Sequence, residues 1–467
     1  MPCRAVRRVR PRRFGFGREI NAMRYLLSVS FAMFLAHTCQ AQINVTSLPL
    51  VCNQSGKTYV IANDLTSSSG VAITVQADNV KINGNGKTLT FGAGSAEGTG
   101  ISLSQSVDNL EVFNLKIVQG SGGGRSFENN GNGVNGLNLH DLQIVSENKV
   151  TKPINLKNLP RTTGISITRN TISVNGTERW DGGGIFVEGT GEQVTGTISK
   201  NTITMGNNVW EGRSACIVLT GFGGPMEVWG NTLQMYHGSQ GEGVQSWNAS
   251  DNIIRDNTLN MHCQECRGLL IDGGSNGNHV YGNKIYQNES GGFQYGIRVR
   301  YASSNNEIYN NLVQAASSIH SRYGIYLGES QQETWPIGPP SNNRVVNNTF
   351  ICGSECIHIR QGSESNYFGC NKIQASDGEA IHIYSQDQVL RNLTFVNNIA
   401  TVSAGSKKVV FDVDGPTPHP ANPVVFCGGD IVASQITGVS GLDYVIQPAP
   451  CNENCGAPSA PKNLRRK

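Results

Sequence analysis

The sequence has little charge, few aromatics and no long apolar run outside its first segment. Only 15% of its 467 residues are charged and 7% are aromatic. Low charge excludes a chain held open by its own repulsion, and the missing 3.6-residue apolar period excludes helical bundles and coiled coils. Beyond residue 41 nothing is long and apolar enough to span a bilayer. A nucleic-acid footprint is missing too. Residues 1–41 hold eight Arg against one Glu, so from a whole-chain charge of +3 this segment takes +7 and residues 42–467 keep −4. The basic balance belongs to the leader, and the rest is mildly acidic.

Within the leader, Met23 to Ala41 combines one Arg, an apolar run and a small residue before Gln42, as a secretory signal does. Residues 1–22 read as a start assigned too early. Arg12-Arg13-Phe14 offers a rival twin-Arg signal in poor surroundings, and Ala36-His37-Thr38 ahead of Cys39 makes a bad lipid-anchor site. The expected location is outside the cytoplasm: extracellular, periplasmic or at the cell surface. Ten of the twelve cysteines follow residue 41, an even number that suggests disulfides in an exported chain. The close pairs Cys263/Cys266, Cys352/Cys356 and Cys451/Cys455 also invite zinc, with His262 beside Cys263. They form no compact four-ligand signature, so local disulfides are the preferred reading.

What is abundant is Gly, with 56 residues, and Asn, mostly in Asn-Asn, Asn-Thr and Asn-Gly pairs. These residues mark a repeat. An Asn (once Asp) followed by alternating apolar residues recurs at Asn114, Asp141, Asn170, Asn201, Asn231, Asn257, Asn283, Asn311, Asn348, Asn371 and Asn398. A small residue before a second alternating strand recurs in step, from Gly184-Ile185 and Cys216-Ile217 to Cys356-Ile357 and Ala380-Ile381. Each coil then holds at least two short strands separated by Gly, Ser and Asn turns. Stacked at about 4.8 Å, eleven or more coils span roughly 50 Å. The recurrent Asn is expected at a corner, where it tolerates left-handed backbone and hydrogen-bonds the next Asn in an internal ladder.

The chain resembles the right-handed parallel β-helix proteins of the pectin-lyase-like superfamily from about Thr58 to Val413. The resemblance rests on the ladder segments ITRNTISV, ISKNTITM and VWGNTLQM and on the opening segment ADNVKINGNGKTLTF. It implies an all-β fold, a single-stranded right-handed parallel β-helix over residues 42–413. A C-terminal cap with cysteines is expected over 414–456 and a linker-like tail over 457–467, where PSAPKNLRRK is similar to the first strand of a fibronectin type III module. The superfamily holds secreted polysaccharide lyases, glycoside hydrolases and epimerases, and binding and structural proteins as well. The Asn-Thr-Asp, Asp-Asp and Gly-His-Gly set of polygalacturonases is missing, as is the Arg-x-Pro-x-x-Arg of pectate lyases.

Side-chain alternation turns the second mark into a map of a face. The residues after each small residue point inward, which leaves two outward columns. One reads Phe186, Val218, Gln245, Leu270, Arg298, Tyr326, His358, His382; the other reads Glu188, Thr220, Trp247, Asp272, Arg300, Gly328, Arg360, Tyr384. The turns leading into these strands add Glu211, Arg213, Glu242, Glu265, Arg267, Tyr295, His320, Arg322 and Tyr323. Arginine grips carboxylates and aromatic rings cover apolar sugar faces, so this face suits an acidic polysaccharide. For β-elimination or epimerisation of a uronate, Arg298, Arg300 and Arg360 would neutralise the carboxylate, His358 would take the proton and Tyr326 would protonate the leaving oxygen. His382 or Tyr384 could replace Tyr326, and Trp247, Asp272, Arg322, Arg360, His382 and Tyr384 would line the substrate.

Other readings stay open. A hydrolase would pair Asp272 with Glu265 or Glu242. A non-catalytic glycan-binding or surface protein would use the same face without turnover. No cofactor is called for, although calcium could stand in for an Arg. A copper carrier, known among β-helix proteins, lacks support because Met is scarce after residue 41 and no tight His cluster is legible. We expect a monomer, with no nucleic-acid partner and no membrane span.

Overall fold

A computed structural model describes residues 42–147, 152–175, 182–206, 214–236, 240–288, 292–315, 322–328, 338–360, 362–385, 390–413, 424–438, 444–447 and 450–451. The leader and its signal, the tail, Cys455, Glu211, Arg213 and His320 lie outside the described residues, as does the side chain of Arg322.

From Ile43 onward the chain builds one unit. Its strands enter three long sheets of 16, 13 and 15 strands in which sequence neighbours never pair; every strand pairs with the strand one coil earlier and one coil later. The first sheet runs from Gln42–Val45 to Tyr444–Gln447, the second from Leu65–Thr66 to Ile399–Thr401, and the third from Leu50–Cys52 to Ile436–Gly438. A typical coil passes through Thr162–Thr168 in the first sheet, Thr171–Val174 in the second and Gly182–Gly189 in the third. All pairings are parallel, as in Thr171↔Thr202 and Ile172↔Ile203. This is the all-β parallel solenoid expected. The sheets also run on past residue 413, since Val424–Cys427, Ile436–Gly438 and Tyr444–Gln447 add further strands.

Alternation along short strands explains the core. Inward Ile, Val and Leu of all three sheets are buried, and like residues sit over like in register, as in the stacked Phe368, Phe395 and Phe426 with centroids 4.8 and 4.9 Å apart. Burying one such side chain stabilises by about 1.5–3 kcal/mol.

The asparagine ladder is present at the corner between the first and second sheets, with two corrections. It begins at Asn170 and continues through Asn398; each Nδ2 donates to the next Oδ1, for example Asn170 to Asn201 at 3.0 Å and Asn201 to Asn231 at 2.9 Å. Asn114 and Asp141 stand one residue too early, and Leu115 and Leu142 occupy the ladder position in those coils. Nor is the ladder Asn itself left-handed. That conformation belongs to the residue before it: Arg169, Lys200, Asp256, Asn310, Asn347, Cys370 and Asn397 all have φ between 51 and 57°. A second ladder, unmarked in the sequence reading, runs through Asn252, Asn278, Asn306, Asn343 and Asn366 at the corner between the third and first sheets. An unsatisfied amide in either row would cost about 1–3 kcal/mol.

Two of the three local cysteine pairs are disulfides, Cys263–Cys266 and Cys352–Cys356. Cys451 bonds instead to Cys427, which ties the segment after the last strand back onto the first sheet.

Candidate functional site

The third sheet presents both outward columns in the expected register. Strand pairing gives Phe186↔Val218, Val218↔Gln245, Gln245↔Leu270, Leu270↔Arg298, Arg298↔Tyr326, Tyr326↔His358 and His358↔His382. Glu188, Thr220, Trp247 and Asp272 align likewise in the second column. A third column forms three residues before the first, where Glu242, Arg267, Tyr295 and Tyr323 pair in sequence. The sequence reading put these four in turns, but they lie inside strands such as Glu265–Asp272 and Gln294–Val299. Two residues before Ile357 and Ile381 the same column continues as Glu355 and Glu379. Those carboxylates were missed, although the offset that gives Tyr323 gives them too.

The face divides along the axis. At its first coils Phe186, Ala215 and Val218 form a small buried apolar cluster. In the middle, charges pair off in the interior. Glu242 and Asp272 are both 0% exposed; Arg267 donates to Glu242 at 3.0 Å and Arg300 to Asp272 at 2.6 Å. The hydrolase reading paired Asp272 with Glu242 or Glu265; Asp272 and Glu242 are closed off from solvent and Glu265 is half-buried. Arg300 is equally buried, so its charge is spent on Asp272 rather than on an incoming anion.

Farther along, the arrangement changes. Arg298 stacks over Tyr295 and Tyr326, with its guanidinium carbon 4.9 and 5.1 Å from the ring centroids. Burial, with help from Arg300 and Arg267, pulls its pKa down to about 10. No carboxylate pairs with Arg298 or Arg360 among the described residues, and the Nε of each is buried without a hydrogen-bond partner. Arg360 lies over Tyr384 at 4.8 Å. The rings of Tyr326 and His358 stack at 4.7 Å, and those of His358 and His382 lie 5.1 Å apart. Trp247, Arg360, His382 and Tyr384 are half-buried, whereas Arg298, Tyr326 and His358 sit nearly closed over.

Glu355 holds the two histidines together. It accepts from His358 Nδ1 at 2.5 Å, and its other oxygen lies 3.5 Å from His382 Nδ1, which donates to Glu379 at 2.8 Å. Burial would lift the Glu355 carboxyl, but the two imidazoles outweigh it and bring it to about 2. Burial depresses His358 below its ordinary value despite Glu355. It works against His382 as well, but there Glu355 and Glu379 prevail and raise the pKa to about 9. Near neutral pH the site therefore offers a neutral imidazole beside a charged one. Among the described residues Nε2 of each has no hydrogen-bond partner, although Asp412 lies 3.9 Å from that of His382. Tyr326 is pushed up by burial and keeps its proton. The cluster that was not legible in sequence is thus real: it forms from residues 24 apart in the chain and one coil apart in space.

A family model described as "Periplasmic copper-binding protein (NosD)" matches residues 113–320. Among solved structures the chain is similar to a mutant of the periplasmic alginate epimerase AlgG, with 12% identity, 79% of this chain and 77% of that chain covered, and a TM-score of 0.40. It is also similar to the alginate lyase AlyF-OU02, with 13% identity, 91% and 93% covered, and a TM-score of 0.39. No curated protein matches it in sequence. Three parallel sheets wound coil on coil decide the fold. The chain is a parallel β-helix protein.

Among the described residues of the matched segment no donor cluster that could hold copper is found. Its described methionines, Met205, Met226, Met235 and Met261, are core residues at most 1% exposed. Among the described residues the one metal-sized group of donors is Glu355, His358 and His382, within 4.8 Å of one another and beyond that segment. Both Nδ1 atoms there already donate to carboxylates. No helix among the described residues is long and apolar enough to cross a membrane.

Proposed function

We propose that this is an exported carbohydrate-active protein that acts on a polymer of uronic acids, by β-elimination or epimerisation, at the outer face of the third sheet. One observation carries the reading: two arginines without acid partners among the described residues share a face with a neutral histidine whose neighbours on either side can donate a proton. Arg298 and Arg360 would draw the substrate carboxylate and stabilise the charge that develops when its α-proton leaves. His358 Nε2 would take that proton. The Nδ1–H bond to Glu355 fixes this tautomer, in which Nε2 carries the lone pair. Tyr326 or His382 would protonate the leaving oxygen. Trp247, His382 and Tyr384 would line the approach.

The assay is incubation with a panel of uronic-acid polymers, with and without calcium, following the ultraviolet absorbance of unsaturated ends beside total reducing ends. Absorbance that rises with reducing ends and vanishes in His358→Ala is the expected result. Reducing ends without absorbance would mean hydrolysis. Silence in both channels would leave a binding protein.

A further inference from the structure

Tyr326, His358 and His382 rise from adjacent strands of one flat sheet face. Their separations along the column are 4.7 and 5.1 Å between ring centroids. A sugar ring slotted between two groups needs a van der Waals contact on each side, about 7–8 Å in all. No pyranose fits between the base and either donor. Tyr384, the remaining donor candidate, is on the same face, 6.5 Å from His382. Among the described residues, base and acid therefore reach the substrate from one side.

We propose that the site is built for uronates whose α-proton and β-oxygen lie on the same face of the ring, which are the gluco- and manno-configured residues, and that it excludes galacto- and gulo-configured ones, where the two lie on opposite faces. The inference rests on the elimination reading of this same site and sharpens it to a substrate class. Its step balances without water. His358 Nε2 takes the α-proton and the C–H pair becomes the new carbon–carbon double bond. The bond to the β-oxygen breaks with its electrons on oxygen, and that oxygen takes the proton of Tyr326 or His382. The cut leaves one unsaturated end and one reducing end. Epimerisation would in addition require a donor on the opposite face of the ring to complete inversion at the α-carbon.

The test uses the full chain and four homopolymers: polymannuronate and polyglucuronate on one side, polyguluronate and polygalacturonate on the other. Initial rates of unsaturated-end formation should be about 100-fold or more faster on the first pair, the scale of a correctly placed acid–base group. Equal rates, or turnover confined to the second pair, would overturn the stereochemical inference and leave elimination standing. Solvent deuterium entering the α-carbon of recovered polymer without unsaturated ends would overturn it in favour of epimerisation. No unsaturated ends and no deuterium from any of the four would remove the elimination reading itself, and the inference with it.

Discussion

Two faces of this solenoid carry columns of arginine and aromatic rings, and only one reads as a site. On the first sheet Trp229 lies between Lys200 and Arg255, at 5.0 and 4.8 Å, and Tyr281 stacks on Tyr309 at 4.8 Å. Arg255 and His279 have acids at hand, while the exposed Lys200 has no ion pair among the described residues. Arg255 reaches Glu227 at 2.6 Å and Asp256 at 2.7 Å, and His279 stands 3.1 Å from Glu307. On the third sheet the rings stack in the same way, but among the described residues Arg298 and Arg360 have no carboxylate and two histidines share one. Stacked rings under cations are therefore what this fold does with any outward column. The mark of chemistry is charge left unneutralised and protons unevenly divided.

The largest effect should come from breaking the third-sheet column at its centre. His358→Gln keeps a polar group of similar reach but cannot take the proton, and turnover should fall by about 100-fold or more. The melting temperature should stay close to that of the parent. A variant that retains most of its rate would move the base elsewhere. Arg298→Gln should also cost rate, because it removes one of the two guanidinium groups proposed to meet the carboxylate.

A finer probe asks which neighbour donates. If His382 does, the rate rises as His358 loses its proton, below the ordinary value of 6.5, and falls as pH climbs through about 9, where His382 loses its own. Glu355→Gln removes a charge that supports the protonated form of both imidazoles. Both limbs then move to lower pH, the alkaline one by about one pH unit or more. If Tyr326 donates, its alkaline limb lies above the ordinary tyrosine value and does not follow Glu355 downward. The pH profile of this one variant separates the two donors.

Much of this face was legible because two local rules fix its register. A small residue inside or just ahead of each third-sheet strand marks the rung, and alternation does the rest, so the rungs from Phe186 to His382 pair in the order read from the sequence. The errors have equally local causes. In pairs such as Asn310-Asn311 and Asn347-Asn348 the first Asn is left-handed and the second is the rung, and nothing in composition tells them apart. Where only the left-handed residue is Asn or Asp, as at Asn114 and Asp141, the mark slips by one. Burial escaped the reading for a different reason. Arg300 and Arg360 occupy the same column, but one is sealed against Asp272 and the other is half-exposed. An outward direction says nothing about what covers it.

The smallest effect is expected on the first sheet, and it completes the contrast. Arg255→Gln breaks two ion pairs whose members are between one quarter and one half exposed. Such pairs contribute about 0.2–1 kcal/mol each, and Trp229 keeps Lys200 over its ring. Stability should therefore drop by no more than about 1–2 kcal/mol, with turnover unchanged because no substrate atom meets this sheet. Chemical denaturation beside the unsaturated-end assay would measure both. A loss of turnover with intact stability would show that the first sheet also contacts the polymer, and neutralised columns could then no longer be set aside as structural.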